Sequence, residues 1–162
     1  MRGNSNYILI TPIKNEESYV PLHAESILSQ SKLPSAWVFV DGGSGDNTVP
    51  FIQKLSEKYS WIHVKPQENF SDSGGHINFS YAVWEGYKFL DEYCKQNNVD
   101  YDFVAKLDAD TIVSNNFFEY LLARCNEDPK LGCVSGRSFT LKNMSPKLSV
   151  EEINETDLFE DI

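Results

Sequence analysis

The chain has 162 residues, 41% hydrophobic and 23% charged, which suits one domain able to bury about two thirds of its unfolded surface and argues against a wholly disordered chain. A net charge of -10 argues against a nucleic-acid partner, because phosphate contacts need clustered Lys and Arg. Six of those negative charges fall in Glu151–Ile162, leaving -4 for the rest, so the acidity is mostly a property of the tail.

Cys94, Cys125 and Cys133 are odd in number and lack metal-ligand spacing, as expected of reduced thiols. The first residues hold only four consecutive apolar positions, too few for a secretion signal, and no run approaches a membrane span. A soluble, cytoplasmic protein is the expectation.

Tyr7–Thr11 is an apolar run closed by Pro12, the pattern of a buried strand. Val20, Ala24, Ile27 and Leu28 then keep helical spacing over Ser18–Gln30, with Pro21 tolerable in a first turn. Trp37–Val40 predicts a second strand. It runs into the glycine loop DGGSGDNT, after which Val49, Ile52, Leu55 and Tyr59 mark a helix that Asp46 or Asn47 would cap.

Trp61–Val64 predicts a third strand, followed by the polar loop PQENFSDSGGH. Phe79, Ala82, Val83, Phe89, Leu90 and Tyr93 give one apolar face to a long helix over Ile77–Asn97. Phe103–Leu107 is a fourth strand entering DADT, Phe117–Cys125 a short helix, and Cys133–Ser135 a fifth strand. The expected boundaries are a domain over 1–140 and an acidic tail over 141–162.

Alternating strands and helices predict an α/β fold with a mostly parallel central sheet flanked by helices, in which ligands bind beyond the carboxyl ends of the strands. Three polar motifs, TPIKNEE, DGGSGDNT and DADT, fall at those ends. They point to one site built from three loops.

If the fourth strand persists through DADT, Asp108 and Asp110 project from one face, and their mutual repulsion calls for a cation. Mg2+ or Mn2+, which take one or two carboxylates plus substrate phosphates, would suit them. In the glycine loop Gly42 and Gly43 allow a sharp turn and close ligand approach, and Asp41 can accept from a nucleobase N–H. Pro12 ends the first strand and Asn15 can hold the turn after it. His76 lies where a donor could meet a phosphate. His23 and His63 read as structural, and no hydrolase elbow, P-loop or dinucleotide fingerprint is present.

With ILITPIKNEE, VFVDGGSGDNT and AKLDADTIVSNNFFEYLL in that order, the chain resembles the family 2 glycosyltransferases over about Tyr7–Gly136. The resemblance implies a GT-A, Rossmann-like nucleotide-binding fold and an inverting transfer of sugar from a nucleotide diphosphate donor, most readily a UDP-sugar, to a carbohydrate or lipid-linked acceptor. By position it implies that Pro12 and Lys14 border the nucleobase, that Asp41 binds its N–H edge, that Asp108 lies near the ribose and diphosphate, and that Asp110 ligates Mn2+ or Mg2+.

Departures accompany it. Gly42 stands where the family usually has a second Asp, and Lys14 where an aromatic often stacks on the base. Phe79 and Ser80 fall at the usual Arg and Asn of a diphosphate-binding segment, so His76 is the candidate substitute. Family members usually continue for another hundred or so residues that carry the acceptor base, so a truncated fragment is expected. They often build surface polysaccharides at a membrane, which by analogy implies peripheral membrane association. The rival readings are a sugar nucleotidyltransferase, which wants a glycine-rich basic loop after the first strand, and a nucleotide-sugar-binding module without transfer activity.

Overall fold

The computed structural model describes residues 5–68, 75–128 and 130–136. Its elements run β1 (Tyr7–Ile13), α1 (Val20–Leu28), β2 (Ala36–Asp41), α2 (Thr48–Lys58), β3 (Ile62–Pro66), α3 (Gly75–Asn97), β4 (Phe103–Lys106) and α4 (Phe117–Glu127). The described residues fall into two compact units: one from 5–20 with Pro34–Thr111, the other from Pro21–Leu33 with 112–136.

The first unit carries the sheet, in the order β3-β2-β1-β4 with every pairing parallel. Ile8, Ile10, Ala36, Val38 and Val40 pack with Ala82, Leu90 and Cys94 of α3. The alternate residues Tyr7, Leu9, Trp37 and Phe39 are also fully covered, which is why β1 and β2 read as continuous apolar runs rather than alternating ones. Burial pushes the Tyr7 phenol well above its usual range. Trp37 Nε1 finds Thr11 Oγ1 at 3.0 Å, so the polar end of the largest core side chain is satisfied.

Helix α3 lies close to the sheet at Gly86. A Cβ there would stand 2.6 Å from Ile10 Cγ2 and 3.0 Å from Val40 Cγ2. Midway along this helix, beside Gly86, the buried Glu85 carboxylate accepts from Glu68 N at 2.9 Å and faces Lys65 Nζ at 3.7 Å, tying the chain after β3 to α3.

In the second unit Gln30 joins the two helices. Its Nε2 donates to Ser26 O at 2.9 Å and Ser114 O at 2.6 Å, while its Oε1 accepts from Phe118 N in the first turn of α4. Cys94 and Cys125 are buried and Cys133 exposed, all as free thiols.

Three expectations change. β1 does not stop at Pro12 but continues to Ile13, with Pro12 opposite Val40 of β2. Ile13 O accepts from Gly42 N on the β2 side, so alternation turns the amide edge of Pro12 toward β4, whose ladder has already ended at Ile10–Lys106. The missing N–H therefore costs no ladder bond. β4 stops at Lys106, short of both acids of DADT. Cys133–Ser135 is irregular rather than a fifth strand.

Candidate functional site

The loops after β1 and β2 are bonded to each other. Asn15 occupies the left-handed region with φ 55°, where Asn is among the few side chains tolerated, and its Oδ1 accepts from Gly45 N at 2.8 Å. In return Asn15 N donates to Ser44 Oγ at 2.9 Å, Glu16 N to Thr48 Oγ1 at 2.8 Å and Glu17 N to Asp46 Oδ2 at 3.2 Å. Glu17 Oε2 accepts from both nitrogens of Asn47. TPIKNEE and DGGSGDNT thus form one platform.

Both acids in DGGSGDNT serve that platform. Asp41 accepts from Gly43 N at 3.2 Å, Ser44 N at 3.0 Å and Ser44 Oγ at 2.6 Å, folding the loop back while Gly43 takes φ 86°. Asp46 Oδ1 accepts from Thr48 N at 3.0 Å and so caps α2; Asn47, at the cap position itself, makes no side-chain cap bond. Bonds to Thr48 hold the Asp46 carboxyl below the usual range.

DADT is a turn closed by Thr111 N donating to Asp108 O at 3.0 Å, not an extension of β4, so strand alternation does not set its carboxylates. Ala109 is buried between the two acids. Asp108 is half-exposed and accepts from Lys106 Nζ at 2.7 Å, and Asp110 is exposed.

Beyond the strand ends lies a cleft of about 480 Å³. Pro12, Lys14, Gly42, Asp108 and Asp110, five of the sequence candidates, line it together. Asp41 and Gly43 belong to the neighbouring turn and do not line it. His76 falls on the first turn of α3 rather than in a loop, because the helix begins at Gly75; its side chain lies outside the described residues, as do 69–74 and the whole of 137–162.

Glu16, Gln67 and Asn78 also line the cleft and escaped the sequence reading; Phe79, which the resemblance puts at the usual Arg of a diphosphate-binding segment, lines it too. Gln67 directly follows β3, so the strand-end rule could have flagged it. Its Nε2 donates to Asn78 O at 2.7 Å. By sequence Glu16, an acid of TPIKNEE, suits a helix amino terminus. Burial, followed by the charges of Asp110, Asp46 and Asp108, raises its carboxyl above the ordinary value.

Among the described residues no three acidic, His or Cys side chains converge to ligating distance. An all-protein metal cage is therefore not present there. The donor set does fit a hard cation held by one or two carboxylates with substrate oxygens completing its shell. Asp108 and Asp110 offer oxygen ligands in the cleft, and the unfavourable charge felt at Glu16 is of the kind a cation relieves.

Solved structures share this arrangement of a parallel sheet with flanking helices. Staphylococcus aureus TarS 1-349 in complex with UDP-GlcNAc matches with a TM-score of 0.56 at 21% identity, over 89% of this chain and 40% of that one. TarS 1-349 in complex with UDP matches with the same TM-score and identity over 41% of its length.

The model of the glycosyl transferase family 2 matches residues 8–155, and the chain belongs to that family. A poly-beta-1,6-N-acetyl-D-glucosamine synthase of Staphylococcus aureus is 32% identical over 122 residues, 75% of this chain and 26% of that protein. The namesake from Staphylococcus epidermidis is 28% identical over the same shares. The chain thus spans about a quarter of the length of these curated relatives.

Proposed function

We propose that this chain forms the donor-binding part of an inverting glycosyltransferase that takes a nucleotide diphosphate sugar, with a UDP-sugar the best-supported donor. The observation that carries the reading is the single cleft onto which Pro12 and Lys14, Gly42, and Asp108 and Asp110 open from the ends of β1, β2 and β4. The family membership and the UDP and UDP-GlcNAc complexes of TarS support it. The acceptor, by the same reasoning, is a growing saccharide or a lipid-linked one.

In this reading Pro12 and Lys14 flank the base, the lysine lying over or beside its ring. Gly42 lets the ligand approach the backbone. Asp41 acts chiefly by shaping the platform, since its oxygens already accept three loop donors, though a carboxylate retains lone pairs for a base N–H. Asp110, with Asp108 beside it, would hold Mn2+ or Mg2+, which supplies charge neutralisation to a departing diphosphate. Burial of Ala109 fixes the two acids on either side of one anchored residue.

The test is calorimetric titration of UDP into the 162-residue chain with and without Mn2+, repeated on Asp110→Ala. Tighter binding with Mn2+, lost in the variant, is expected. UDP binding that ignores both the metal and the substitution would remove Asp110 from the role, and no binding of UDP, GDP, CMP or dTDP would remove the donor-site reading.

A further inference from the structure

A cleft lined by Glu16, Asp108 and Asp110 is a poor host for a diphosphate unless positive charge is already in place. Lys14 lines it. A second ammonium stands at its edge through a contact pair that the motifs do not reveal. Lys106 is the last residue of β4 and pairs with Ile10, a residue of the face that packs on α3, so its side chain rises on the α3 side. There its Nζ lies 4.5 Å from the centroid of Phe79 and 2.7 Å from Asp108 Oδ2. Both of those residues line the cleft.

The two contacts have different consequences. The Lys106–Asp108 pair is open to water, with side chains 35% and 48% exposed, and pairs of that kind are weak enough to open when a better anion arrives. The Phe79 ring is not a competitor for an anion. It holds the ammonium over its face at the cleft edge whether or not the carboxylate keeps its bond. A lysine has three donors, so it can keep Asp108 and still reach a phosphate oxygen.

We propose that Lys106, seated on Phe79, is a diphosphate-binding residue of the donor site and discriminates phosphorylated ligands from bare nucleosides. This rests on the donor-site reading above. UDP and uridine share the base and ribose and differ in the diphosphate, so the ratio of their affinities isolates the contact.

The experiment titrates UDP and, separately, uridine into the wild-type chain, Lys106→Met and Lys106→Arg in the presence of Mn2+, with thermal unfolding of each free protein as a folding check. Lys106→Met is expected to weaken UDP about tenfold and leave uridine unchanged. Lys106→Arg, which keeps the charge, should hold UDP within about threefold of wild type. An unchanged UDP-to-uridine ratio in Lys106→Met overturns the inference, as does an arginine variant that behaves like the methionine one, since that would mark a packing role. If the wild-type chain binds neither ligand, the donor-site reading itself fails and this inference falls with it.

Discussion

Asn15 is the sharpest place to test whether the platform beneath the cleft is built as described. Its backbone is left-handed, and its side chain supplies one exposed bond, to Gly45 N. Asn15→Gly keeps the backbone permissible and deletes the bond. Loss of an exposed neutral hydrogen bond costs about 0.5–1 kcal/mol, and the added freedom of glycine in the unfolded chain about as much again. Asn15→Ala deletes the same bond without that freedom, but leaves the Cβ in the left-handed region without the local polar side chain by which Asn offsets a cost of about 1–2 kcal/mol.

The expected order of stability is therefore wild type, then Gly, then Ala, with Gly about 1–2 kcal/mol below wild type and Ala about 0.5–1 kcal/mol lower still. Urea unfolding reads this as successive falls in midpoint at constant slope. Because Lys14 and Glu16 flank Asn15 and line the cleft, UDP affinity should fall in the same order. An alanine variant at least as stable as the glycine one would refute the left-handed turn, and with it the interlocking of the two loops.

Gly86→Ala should destabilise by about 1–2 kcal/mol, since overpacking against Ile10 Cγ2 at 2.6 Å outweighs the roughly 1 kcal/mol of helix propensity gained; a higher melting temperature would contradict the close approach. Glu85→Ala leaves Lys65 without its buried partner and Glu68 N–H without an acceptor, so a loss of about 3 kcal/mol is expected in chemical unfolding, with Glu85→Gln retaining part of it. His63 packs on Phe89 and Tyr93 with Nε2 unpartnered, and burial lowers its pKa. The unfolded chain then binds the proton more tightly, so stability is full above the ordinary value of about 6.5 and declines as pH falls from there to the depressed folded value. His63→Phe should abolish that part of the pH profile, and an unaltered profile would place the His63 ring in water.

Much of this molecule is legible in its sequence because periodicity and burial coincide. β1 and β2 are covered on both faces, and they announce themselves as apolar runs. The three strand-end motifs do meet, as the rule for parallel sheets requires. Boundaries fail where a local rule is overridden by partner geometry. Pro12 continues β1 because only one side of that residue has a strand to pair with, a fact that depends on where β4 ends. Within the site the individual roles were harder to read than the location. Asp46 is legible as the cap of α2, whereas nothing local marks Glu16 as a residue that faces the cleft. Lys106 and Phe79 are 27 residues apart in sequence, and only the β1–β4 register brings one beside the other.

The division of labour among the acids also bears on what the cleft can accept. Asp41 and Asp46 direct their oxygens to loop donors, and the lowered Asp46 carboxyl stabilises the fold above its unfolded value, an effect lost as pH falls through its depressed folded one. Glu16 behaves in the opposite sense. Its raised carboxyl binds a proton more tightly in the folded chain, so ionisation opposes folding as pH rises from the unfolded value through the folded one. The acids that remain open to the cleft, Glu16, Asp108 and Asp110, outnumber the cation lining it, Lys14, among the described residues. A diphosphate entering alone would meet net repulsion. One arriving with a divalent cation relieves the carboxylates, and Lys106 at the edge remains available to its oxygens. Mn2+ should consequently tighten UDP far more than uridine, and equal tightening of the two would mean that the acidic cleft is not where the diphosphate lies.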